Sequence, residues 1–209
     1  MSIEGVTSIK RMELFSDAVF AIIITLMVLE IKIPSINDAA ASQSLWPQLV
    51  PMLPHLIAYL LSFVILGIMW INHHHFFNYL KYADPKFLWY NLHLLFWISL
   101  IPVPTAFLGE HYKRPEAAAL YGFVLFMTTI AWMLMQYHAQ YKVNLFVDVA
   151  NAGFNVYKKL QVLTAILYFI SIFAGYLSVF ISYGIFVFLL AIYFLPKRIM
   201  TITPLANSE

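Results

Sequence analysis

The stretch Arg11-Met12-Glu13-Leu14-Phe15-Ser16-Asp17 sets an arginine and an aspartate against the start of a long apolar run. Ionisable groups beside hydrocarbon are costly, so such a carboxylate points to function by default. Two readings of it stand. Ser16 and Asp17 either cap or cross-link helices near the interface through hydrogen bonds to polar groups on the following segments, or Asp17 carries a proton or binds an ion. The structural reading is preferred, because an unpaired buried charge costs far more than a hydrogen-bonded one.

Further along the same run, at about 100° per residue, Ile22, Thr25, Leu26 and Leu29 fall within an arc of roughly 100°, and Asp17 points about 140° from Ile22. One face is apolar with a single hydroxyl. A stripe of that kind is ordinarily lipid-facing or core. It acquires meaning where the helix lines a symmetric pore, because rings of branched aliphatic side chains gate by excluding water.

A second cluster is Trp70-Ile71-Asn72-His73-His74-His75-Phe76-Phe77. Adjacent helical residues point about 100° apart, so the three histidines cannot converge on one ion. The His-Glu-x-x-His pattern of zinc peptidases is missing as well. No metal site is therefore expected, and the cluster reads as interfacial, with Trp70 and the phenylalanines as anchors. One of the histidines or Asn72 is the expected partner of Asp17. A third group holds Trp89, Asn91, His93, Trp97 and Ser99, then Pro102-Val103-Pro104-Thr105-Ala106. Asn91 and His93 are expected to complete the polar cluster at the inner end, the alternative for His93 being a satisfied buried histidine.

Enzymatic patterns are missing: no Gly-x-Ser-x-Gly elbow, no glycine-rich phosphate loop and no paired carboxylates at a catalytic spacing. Cysteine is absent, which removes disulfides, thiolate metal sites and thiol nucleophiles. A Thr-Val-Gly-Tyr-Gly filter is absent too. Neither an enzyme nor a bound cofactor is expected.

The elements that must position these groups follow from composition. Of the 209 residues, 62% are hydrophobic and 11% charged, against roughly 25% charged in soluble domains. The apolar residues come in blocks of about 20, enough for an α-helix to cross a bilayer. The blocks are apolar on all sides, unlike the alternation of a membrane β-barrel. The fold class expected is an all-α integral membrane protein with six spans, at residues 14–33, 51–77, 86–108, 117–137, 160–177 and 181–196, forming one domain over 1–209.

Pro34 closes the first span before a polar loop at 35–44, Pro102 and Pro104 kink or end the third, and 138–159 reads as a loop or surface helix. The last apolar run is split near Ser178–Tyr183, with Gly175 and Gly184 both possible breakers. The first block is too long for a signal peptide and reads as a retained span. With both termini in the cytoplasm, nine of the 12 basic residues fall on the inner side and Lys32, Lys113 and Arg114 on the outer, as the positive-inside rule favours. A net charge of +2 is too small to point to nucleic acid. The location expected is the plasma membrane.

Arg11-x-x-x-Phe15-Ser16-Asp17 followed by Ala21-Ile22-x-x-Thr25-Leu26 resembles the first-helix signature of the transmembrane protein 175 family of potassium channels. Trp70–Phe77 and Pro102-x-Pro104-Thr105-Ala106 strengthen the resemblance, which covers most of the first half of the chain. The second half matches in hydropathy only. A single Phe-Ser-Asp copy is similar to the bacterial branch, whose members are homotetramers. The resemblance implies four first helices around a conduction axis for K+. Ile22 would then be the constriction, Leu26 and Leu29 the next rings, Thr25 the hydroxyl tied to selectivity, and Phe15-Ser16-Asp17 a packing network off the pore. It further implies modest preference for K+ over Na+.

Two other classes compete: a proton- or cation-coupled secondary transporter with Asp17 and the histidines as relay, and a membrane scaffold without transport. Inverted repeats and broken midplane helices would mark the former, and neither is seen in the sequence.

Overall fold

The computed structural model of the chain describes residues 9–31, 46–142 and 151–194. The end of the first expected span at 32–33, Pro34, the loop 35–44, Lys32, Lys197, Arg198 and the last two residues of the sixth span lie outside the described residues.

Helix α1 is Ile9–Leu26, continued as a 3-10 turn over Met27–Glu30. It begins five residues before the expected start at Leu14. Hydropathy marks where hydrocarbon begins, whereas helical hydrogen bonding continues through the polar residues Lys10, Arg11 and Glu13 into the interface. A short α2 (Trp46–Leu49) and a 3-10 turn (Val50–Met52) lead into α3 (Leu53–Phe77), with proline in its first turn where no donor is lost. Helix α3 runs unbroken past Asn72 to Phe77.

Helix α4 (Pro85–Ser99) is capped by Asp84, whose carboxylate accepts from the Phe87 backbone N–H at 2.7 Å. The same carboxylate lies 3.0 and 3.1 Å from His138 Nε2, tying the start of α4 to the end of α6 (Pro115–Tyr137). After Leu100–Ile101 the chain resumes as α5 (Pro102–Glu110). Pro104 has no N–H to offer the Leu100 carbonyl, so the third span is a broken helix, as its prolines require. A five-residue π turn, His138–Lys142, extends α6. Helix α7 is Asn151–Ala174 and α8 Val179–Phe194. Residues 151–159 are thus the first turns of α7. The break between the last two helices falls at Gly175–Ser178, so Gly175 is the breaker and Gly184 sits inside α8.

Among the described residues four helical segments are long and apolar enough to cross a membrane: Ile9–Glu30, Val50–Phe77, Pro85–Glu110 and Pro115–Gln140; Val179–Tyr193 is a shorter apolar helix. The fourth is the most buried, 56% of its window against 22–44% for the others, which makes α6 the central pillar. It packs on α4, α5, α7 and α8, and α1 leans on α3 and α4. At the centre Ser62 Oγ hydrogen bonds both Thr105 Oγ1 and Tyr121 OH at 2.8 Å, joining α3, α5 and α6 through hydroxyls that are all buried.

Helices α3 and α5 approach closely at Gly109. A Cβ there would stand 2.9 Å from the His55 Cα and 2.6 Å from its Nδ1, so α5 and α3 would have to separate. Gly109→Ala is expected to destabilise the fold by about 1–2 kcal/mol, the scale of overpacking a tight interface. Gly184→Ala meets nothing within 4 Å and is expected to leave the thermal midpoint unchanged or raise it slightly. Thermal unfolding of the two variants in detergent checks both.

Candidate functional site

The buried side of α1 consists of Met12, Ser16, Phe20, Ile23 and Met27, which recur at helical spacing. The opposite side faces outward. Ile22, Leu26 and Leu29 are 56%, 51% and 73% exposed, and Thr25 lies among them, also exposed. The four residues drawn from the helical wheel are therefore on one outward face.

The Thr25 hydroxyl is bound to its own helix, donating towards the Ala21 carbonyl at 2.8 Å and the Ile22 carbonyl at 3.0 Å. Its one hydrogen is thereby occupied. The oxygen keeps its acceptor capacity on a residue that is exposed.

On the buried side a hydrogen-bond chain joins three helices. Asn91 Nδ2 donates to Ser16 Oγ at 2.9 Å, and Ser16 Oγ donates to the Met12 carbonyl, also at 2.9 Å. His73 Nε2 lies 3.0 Å from Asn91 Oδ1 and so carries the hydrogen that this amide oxygen accepts. All three side chains are buried. The imidazole stacks on Phe77 with ring centres 4.2 Å apart and is flanked by Phe20 and Trp132. His73 Nδ1 is buried without a hydrogen-bond partner. Asn91 and His73 are thus brought together with Ser16, whereas the sequence groups Asn91 with His93 and points to a histidine or Asn72 as the partner of Asp17.

Asp17 sits nearer the surface, and Trp70 Nε1 donates to its Oδ1 at 2.9 Å. Trp70, read from sequence as an interfacial anchor, is thus a hydrogen-bond partner of the carboxylate. His93 lies outside the buried chain and accepts from Trp97 Nε1 on its own helix at 2.9 Å. Asn72 faces a cavity it lines with Phe20, Ile65 and Thr128. Arg11 and Phe15 are exposed.

Of the three histidines, His73 is buried, His74 half-buried and His75 exposed, the fan that helical geometry imposes. His74 Nδ1 approaches Glu13 Oε1 at 3.3 Å. Glu13 was not singled out by sequence. Its spacing of four residues from Asp17 is the signal that could have found it.

The internal cavity lies on the Phe20 side of α1, between α3, α4, α6, α7 and α8. Phe20 and Ile22 are about 200° apart on the helix, so this cavity and the outward face of Ile22 are on opposite sides of α1.

The family described as endosomal/lysosomal potassium channel TMEM175 matches residues 11–102. A potassium channel of Chryseobacterium sp. (strain P1-3) is 45% identical over 126 residues, covering 60% of this chain and 62% of that protein, so less than two-thirds of the relative's length. A potassium channel of Chamaesiphon minutus is 34% identical over 188 residues, covering 88% of this chain and 92% of its own. The crystal structure of a lysosomal potassium-selective channel TMEM175 homolog from the same organism superposes with a TM-score of 0.79 at 30% identity, over 91% of this chain and 98% of that one.

Proposed function

Because this chain belongs to the TMEM175 family of potassium channels, and so to a family of ion channels and not of enzymes, we propose that it conducts K+ along an axis shared by four copies of α1. The observation that carries this reading is the outward face of α1: Ile22, Thr25, Leu26 and Leu29 are exposed along one stripe while the opposite stripe is fully packed. The internal cavity lies on the packed side, so the ion route of this reading runs between copies of the chain and not through one of them.

Each subunit in this proposal is a single domain of six spans, with α7 and α8 as the fifth and sixth, both termini cytoplasmic and the plasma membrane as host. Four Ile22 side chains form the constriction. An ion passing it gives up hydration without a ligand in return, so the barrier is one of desolvation. About one helical turn away, roughly 4.5 Å along the axis, four Thr25 oxygens replace part of the lost water, and Leu26 and Leu29 form the apolar rings beyond. Hydroxyls are weaker ligands than a ladder of carbonyls, which makes the preference for K+ over Na+ modest. Arg11, Phe15, Ser16 and Asp17, with Trp70, Asn72, His73, His74, Asn91 and His93, serve packing and orientation of α1. The coupled-carrier reading loses support because Ser16, Asp17 and His73 are engaged in hydrogen bonds between helices.

Purified protein in a planar bilayer, with K+ on one side and Na+ on the other, tests this directly. The reversal potential is expected to lie on the K+ side of zero, and silence, or flux that requires a second substrate, overturns the reading. Thr25→Ala is expected to move the reversal potential towards zero while current persists, since the aliphatic rings remain.

A further inference from the structure

We propose that Glu13, Asp17 and His74 form a binding site for one divalent transition-metal ion of the zinc class at the seam between α1 and α3. Glu13 and Asp17 stand one turn apart on the same face of α1, and His74 is the residue of α3 that meets them. One ligand atom from each lies within 4.8 Å of the other two. The Glu13 Oε1 to His74 Nδ1 distance of 3.3 Å matches the roughly 3.3 Å edge of a tetrahedron built on bonds of about 2.0–2.1 Å. Small side-chain rotations bring in the aspartate.

Three further features fit an ion. His74 Nδ1 makes no hydrogen bond although it is buried and 3.3 Å from Glu13 Oε1, so in the neutral tautomer with hydrogen on Nε2 its lone pair is free for an ion. Trp70 Nε1 holds Asp17 Oδ1 at 2.9 Å and leaves the second oxygen for the ion, the outer-shell orientation that metal ligands commonly have. Among the described residues neither carboxylate has a Lys or Arg ion-pair partner. Two negative charges one turn apart repel each other, and a dication compensates both. One imidazole and two carboxylates suit Zn2+, Co2+, Mn2+ and Fe2+, and three protein ligands leave a fourth position for water. The histidine run contributes one ligand only, so its fan of directions is no obstacle.

The site rests on geometry within one chain and is independent of whether α1 lines a pore. Full-length protein, freed of any affinity tag and stripped of metal, is titrated in detergent with Zn2+ by calorimetry and with Co2+ by visible absorption. One ion per chain, strong d–d bands of tetrahedral cobalt and a metal-dependent rise in the unfolding temperature are expected. Glu13→Gln and His74→Ala should each weaken Zn2+ binding about tenfold or more, the scale of losing a metal contact, while His75→Ala leaves it unchanged. Absence of Zn2+ binding and of cobalt bands in the parent protein overturns the proposal, as does a loss that follows His75 and spares His74; a plain Glu13–His74 ion pair gives the first of these results.

Discussion

Ile22→Asn is expected to raise K+ current about tenfold and to hold the channel open under conditions in which the parent is closed. Ile22 is exposed on the chain, so the substitution removes no packing within the subunit. What it changes is the wetting of the axis in the proposed assembly. A ring of isoleucine expels water, whereas a ring of amides offers each ion an oxygen. Lowering the barrier by about 1.4 kcal/mol suffices for a factor of ten, and four side chains act on the same point. Ile22→Leu, which keeps the ring aliphatic, should conduct as the parent does. Single-channel recording in symmetric K+ decides the matter: an asparagine variant indistinguishable from the parent removes the gate from Ile22.

Asn91→Ala is expected to cost about 2–3 kcal/mol and to lower the unfolding temperature by several degrees. The side chain holds Ser16 on one side and His73 on the other, with all three buried. Interhelical hydrogen bonds in membranes average only about 0.6 kcal/mol, because the separated helices find other partners. The larger value expected here comes from what is left behind. His73 Nδ1 already lacks a partner, and without Asn91 the Nε2 hydrogen is stranded as well, a new cost of about 1–3 kcal/mol. Pairing His73→Phe with Asn91→Leu should be milder than the sum of the single changes, since two apolar groups strand no donor. His93→Ala, which loses a single part-buried bond within one helix, should shift the midpoint less. Equal loss in all of these variants would show that the network carries no special weight.

Much of this architecture was legible before any coordinates. The blocks of about 20 apolar residues read correctly as helices, because a backbone in hydrocarbon has no water to bond and must satisfy itself. Pro102 and Pro104 announced the break between α4 and α5 for a covalent reason that no tertiary contact can undo. Ser16 and Asn91 stood out as polar residues in apolar helices, and the structure joins them. The split of the last apolar run was less legible, since Gly175 and Gly184 are alike in sequence; what separates them is that a side chain at Gly175 would press on Ser182 and the Pro115 carbonyl, whereas one at Gly184 would meet nothing within 4 Å.

What sequence alone determined about this protein is therefore the set of helices, the breaks that prolines enforce and the few polar groups that need partners. What tertiary structure decided is which partners they receive. A helix that is apolar on all sides carries no mark of its rotation about its own axis, so Asn91 buried and His93 half-buried, or His73 buried and His75 exposed, follows only from packing against α1 and α6. Trp70 reaching Asp17 is settled in the same way, by the relative rotation and depth of two helices 53 positions apart in the chain.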